Sequence, residues 1–109
     1  MTIAAAQARV MTLTMYKSDL EYRLMSISNQ KQALALQSAA YAQAYSEAGG
    51  TDSLENDPYM LAIQYKDKAL ETEQKTLETQ QAAATEDLNA IEKLLQNNIK
   101  KDFKINFGS

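Results

Sequence analysis

Apolar residues recur along positions 1–48 in two rows at seven-residue spacing. Val10, Leu24 and Tyr45 occupy one row, and Leu13, Leu20, Ile27, Leu34 and Tyr41 the other, with Ile3 and Ala6 continuing the pattern toward the N-terminus. Steps of three and four residues place both rows on one side of an α-helix, as in a helix packed along a single seam. Lys17, Lys31 and Ser38 interrupt the rows. Residues beyond 58 repeat the pattern more thinly. Ile63, Leu70, Leu77, Ala84 and Ile91 follow a strict heptad, with Met60, Leu88 and Leu95 in a partner row three residues before positions 63, 91 and 98 of that heptad. Asp67, Gln74 and Gln81 fill the remaining seam positions. One large apolar residue per heptad is little for an independent coiled coil, so the stretch 66–87 is expected to need neighbours or to be mobile.

Glycine and proline divide the chain. Neither occurs in residues 1–48 or 59–107, and both blocks are rich in Ala, Leu, Gln, Glu, Lys and Met, which favour helix. Between them, Gly49 or Gly50 can adopt the left-handed conformation that closes a helix. Asp57 is placed to cap the next helix, with Pro58 at its first position, where a missing amide donor costs nothing. The reading is an all-α protein, one antiparallel hairpin of two long helices. A helix over about 3–48, a loop over 49–57, a helix over about 58–103 and a short tail over 104–109 make it up. A turn of helix near Ser53–Asn56 is allowed for. If the chain reverses midway through the loop, facing residues sum to about 105. Lys31 then meets Glu73 or Gln74, Lys17 meets Glu86 or Asp87, and Leu34 meets Leu70.

A second row on helix 1 has no role in such a hairpin. Met11, Met15, Tyr22, Met25 and Leu36 lie about 150° round the helix from the seam. Apolar residues on nearly opposite sides leave surface that the return arm does not cover, and flexible thioethers suit irregular interfaces. This row is the expected contact with further copies. At the other end of the chain, Ile99, Phe103, Ile105 and Phe107 combine with Lys100, Lys101 and Lys104. From Phe103 to Phe107 the alternation is strand-like. These four apolar residues are expected to anchor in a neighbouring subunit.

Composition narrows the function. The chain has no Cys, His or Trp, which argues against disulfides, thiol chemistry and the usual zinc or haem ligation, and no cofactor or metal is expected. Carboxylate pairs such as Glu71 with Glu73, or Glu86 with Asp87, lie among Lys and Thr on helix surfaces, so no enzyme is expected. Arg9, Lys17, Arg23 and Lys31 against Asp19, Glu21 and Glu47 leave residues 1–48 at +1, while seven bases against eleven acids leave 49–109 at −4. The total of −3 argues against nucleic acid as a partner. No stretch approaches the roughly 20 apolar residues of a membrane span. Arg9, Lys17, Asp19, Glu21 and Arg23 interrupt any signal-like apolar core in residues 1–25, so the expectation is a cytosolic protein or one exported without signal removal.

Asp57-Pro58, Leu61-Ala62, Gln64 and Lys66 together resemble the loop-to-helix junction of the bacterial type III secretion needle subunits, and Ile105-Asn106-Phe107 is loosely similar to their C-terminal end. The glutamine stands one position early, and the family's N-terminal Trp-containing segment has no counterpart. The resemblance implies a helical hairpin exported without signal cleavage, through a secretion apparatus, to the cell surface or beyond, where it polymerises. The small type VII substrates are similar in plan, but their Trp-x-Gly turn is missing. The functional expectation is a structural subunit forming a helical filament or other homo-oligomer. The alternative is a cytoplasmic coiled-coil adaptor or secretion chaperone that holds a partner helix.

Overall fold

The computed structural model describes residues 2–106, and the side chains of 2–104. It is all-α: helix α1 runs Ile3–Glu47 and α2 runs Pro58–Asn106, forming a helical hairpin. Thr2 starts α1, its hydroxyl accepting the Ala5 amide at 3.0 Å and its carbonyl the Ala6 amide at 2.9 Å. The expected tail at 104–109 is not separate over its first part, because α2 continues to Asn106. A five-residue strand-like alternation has no sheet to join, whereas extending an existing helix costs little. The rest of that expected tail, residues 107–109, lies outside the described residues. The turn of helix allowed for near Ser53–Asn56 is instead a hydrogen-bonded reverse turn, closed by the Asp57 amide donating to the Leu54 carbonyl at 3.1 Å.

The chain divides into two compact units, Arg23–Leu77 and Met1–Tyr22 with Glu78–Ser109. In the first, the loop-side unit, Ile27, Ile63 and Leu77 are buried. Leu24, Lys31, Leu34, Ser38, Tyr41, Met60, Asp67, Leu70 and Gln74 are half-buried, so the seam falls where the heptads put it. Its register differs from the expected one. Lys31 Nζ lies 3.9 Å from Asp67 Oδ1, the Ser38 hydroxyl donates to Met60 Sδ at 3.7 Å, and Tyr41 donates to Asp57 Oδ1 at 2.9 Å. Each pair sums to 98 rather than 105, a slide of one heptad. Lys31 therefore meets Asp67 instead of Glu73 or Gln74, and Leu34 lines grooves with both Ile63 and Leu70. The cause is the loop. The chain does not reverse at its midpoint. Asp57 returns to the level of Tyr41, so the last residues of α1 run past the start of α2. The Lys31–Asp67 pair is half-open to water and loosely spaced, and contributes only about 0–1 kcal/mol, so it marks the register more than it stabilises it.

In the terminal unit, Ala6, Leu13, Leu20 and Ala84 are buried. Ile3, Val10, Lys17, Gln81, Leu88, Ile91, Leu95 and Asn98 flank them half-buried. Leu13 and Ala84 line one depression with Arg9 and Asp87, close to the register of the other unit. Two of the four buried side chains are alanines, so this seam is narrow and its hydrophobic contribution modest.

Candidate subunit interface

The helices are joined by a tightly specified corner. Gly49 has φ +84°, the left-handed conformation expected of one of the two glycines. The Gly50 amide donates to the Tyr45 carbonyl at 3.0 Å and the Gly49 amide to the Ser46 carbonyl at 3.1 Å, which closes α1 in a Schellman motif. At Gly50 an added Cβ would overlap the Tyr45 ring, so a larger residue there requires that ring to move. At the start of α2, Asp57 Oδ2 accepts the amides of Tyr59 at 3.0 Å and Met60 at 3.2 Å, and Pro58 takes the first helical position. Asp57 Oδ1 accepts the Tyr41 hydroxyl, and the Tyr41 and Tyr59 rings stand 4.4 Å apart. Donating to Asp57 holds the Tyr41 phenol above the usual tyrosine value, with burial and the Asp57 charge adding to the effect. One carboxylate thus caps a helix and ties it to its neighbour. Replacing Asp57 with Ala is expected to cost about 1–2 kcal/mol. Urea and thermal unfolding measure this, and an unchanged midpoint would show that the clamp contributes nothing.

The second row of α1 stands in solvent in this chain. In the terminal unit, Met11, Met15 and Tyr22 are 66%, 71% and 72% exposed. In the loop-side unit, Met25 and Leu36 are 64% and 66% exposed. The positions across α1 from the seam share a further property. Ala4, Ala8, Met11, Met15, Ser18 and Tyr22 in the terminal unit are all exposed and all uncharged, as are Met25, Asn29, Gln32, Leu36, Ala39 and Gln43 in the loop-side unit. With 23% of the chain charged, about three of these twelve would be charged if charges were spread evenly, and solvated outer positions are where charges normally gather. The charges of α1 sit instead on its flanks, at Arg9, Asp19, Glu21 and Arg23, in the seam, at Lys17 and Lys31, or at its C-terminal end, at Glu47. Helix α2 differs. Its corresponding positions include Lys68 and Lys75 in the loop-side unit, and Glu86, Lys93 and Lys100 in the terminal unit.

Of the C-terminal anchor residues, Ile99 and Phe103 are 48% and 61% exposed, while the Ile105 side chain and Phe107 lie outside the described residues. Sequence reasoning missed exposed apolar residues at the start of α2: Tyr59, Leu61 and Tyr65, the last 76% exposed. Leu61 and Tyr65 fall outside the seam heptads, and that spacing is the signal by which they are found. Tyr65 also borders an open groove formed by Ala33, Leu34, Ala69 and Leu70, with Lys66 and Glu73 on its edges. Among the described residues no polar or charged side chain is buried, and no group of three acidic residues is placed to hold a metal ion. Among the described residues no helix is long and apolar enough to cross a membrane.

These features define a helical hairpin with one uncharged, partly apolar helix face. Compared with known proteins, the chain matches no known family, no curated protein and no solved structure.

Proposed function

We propose that this protein is a structural subunit that assembles with copies of itself into a helical filament or other homo-oligomer. The observation that carries this reading is the exposed, charge-free outer face of α1, with Met11, Met15 and Tyr22 in one unit and Met25 and Leu36 in the other. A helix bathed in water on that side gains nothing from omitting charge there, whereas a helix covered by another subunit avoids burying unpaired carboxylates and ammonium groups. Ile99 and Phe103 supply a second contact. The junction residues Asp57-Pro58, Leu61-Ala62, Gln64 and Lys66 favour a needle-like exported filament, placed at or beyond the cell surface through a secretion apparatus.

Sedimentation velocity and negative-stain electron microscopy of the purified chain test the proposal. Filaments or large homo-oligomers are expected, and a compact monomer at high concentration would overturn it. The groove of Ala33, Leu34, Ala69 and Leu70 favours a second reading, a cytoplasmic adaptor or secretion chaperone holding a partner helix. A stable heteromer with a different chain, and no homopolymer, would move the assignment there.

A further inference from the structure

The outer face of α1 says that copies associate, but not how an assembly grows. Charge is distributed so as to answer that question. In the loop-side unit no lysine or arginine occurs between Lys31 and Lys66, and Glu47, Asp52, Glu55 and Asp57 all fall in that interval. In the terminal unit, α2 from Lys93 onward carries Lys93, Lys100, Lys101 and Lys104 against Asp102 alone. Each charged stretch accompanies exposed apolar surface. Tyr59 and Leu61 are 47% and 46% exposed in the loop-side unit, and Leu94, Ile99 and Phe103 are 37%, 48% and 61% exposed in the terminal unit.

Local helix stability explains only part of this pattern. Lysines suit the C-terminal end of α2, and Asp57 is occupied as a cap. Glu47, however, is the last residue of α1, and the last turn of that helix holds no base. A carboxylate there has the unfavourable sign for the helix dipole, and the neutral Gln43 amide that donates to Glu47 Oε1 at 3.1 Å leaves its charge in place. Asp52 and Glu55 are exposed loop residues that cap neither helix.

We propose that copies of this chain join head to tail, the acidic apolar patch of the loop-side unit in one copy seating on the basic apolar patch of the terminal unit in the next. This rests on the reading of the chain as a self-assembling subunit, and it adds a contact distinct from the α1 outer face. Pairing either patch with its own duplicate would set like charges together, so the contact uses two different surfaces. A heterologous contact of this kind leaves one free patch of each type on every growing assembly, and it extends without closing unless rotation brings it into a ring. Apolar area supplies the affinity, while the opposed charges set orientation and speed encounter.

Two double variants of the full chain provide the test: Asp52→Lys with Glu55→Lys, and Lys100→Glu with Lys101→Glu. All four residues are exposed. Each variant alone is expected to lose filament length and mean mass by at least about tenfold. An equimolar mixture is expected to recover both, because the native pairing between the two variants then alternates with a charge-reversed pairing that is again complementary. Recovery on mixing also shows that both variants fold. Wild-type assembly is expected to shorten as salt rises from about 50 to about 500 mM. Growth of either variant at wild-type length, or failure of the mixture to recover, would overturn the head-to-tail contact. If these variants polymerise normally while Met15→Glu with Met25→Glu does not, self-assembly stands and this contact falls. A monomeric wild-type chain removes both.

Discussion

Replacing Met15 and Met25 with glutamate is expected to abolish assembly while leaving the helical hairpin intact. Both side chains point away from the seam and are 71% and 64% exposed. Glutamate is a good helix former, and a surface substitution of this kind shifts stability by about 0.5 kcal/mol or less. Far-UV circular dichroism and the thermal midpoint should therefore hardly change. The effect on association is of another order. Each lost methionine removes up to about 1.5–3 kcal/mol of burial. Each new carboxylate would also have to be desolvated without a partner, since the surrounding outer positions are uncharged. At about 1.4 kcal/mol per tenfold, the combined loss exceeds a thousandfold in the association constant. Sedimentation velocity should show a monomer at concentrations where the wild type is assembled. Unchanged filaments would show that this face of α1 is not an interface.

Leu20→Ala is expected to do the reverse, unfolding the chain rather than only separating its copies. Leu20 is 1% exposed and is the largest fully buried side chain among the described residues. Its unit has Ala6, Leu13 and Ala84 as its other buried side chains, so little remains to close over the vacated volume. Truncating a leucine in such a place costs about 2–5 kcal/mol. Against a total of about 5–15 kcal/mol for an ordinary domain, and a core this narrow, that is a large share. At about 4–8 °C per kcal/mol for a chain near this size, the thermal midpoint should fall by more than about 10 °C. Leu20→Met keeps most of the volume and should cost less than about 1.5 kcal/mol. A drop below about 1 kcal/mol for the alanine variant would mean that the seam contributes little to holding the fold.

The candidate interface was legible to different depths at different residues. Met11, Met15, Tyr22, Met25 and Leu36 were identifiable because an outward position on a helix follows from spacing alone, and all five are exposed. Tyr59, Leu61 and Tyr65 escaped notice because they do not form a row as long as the one on α1. Tyr41 read as an ordinary seam residue. Its hydrogen bond joins it to a carboxylate sixteen positions away, and no local pattern announces such a pair.

What the amino-acid sequence determined by itself is whatever acts within a few residues along the chain. The two helices, the left-handed Gly49, the Asp57-Pro58 start of α2 and the seam on each helix all depend on contacts no more than about one turn apart. Only the tertiary structure decided the register. Lys31 opposite Asp67 and Tyr41 opposite Asp57 differ from the simplest hairpin by seven residues. A heptad pattern looks the same after a slide of seven, so apolar rows meet in either arrangement. The path of the loop breaks that tie. It is set by Asp57 bonding Tyr41 and by the Tyr59 ring lying against the Tyr41 ring, contacts that exist only once the two helices are side by side.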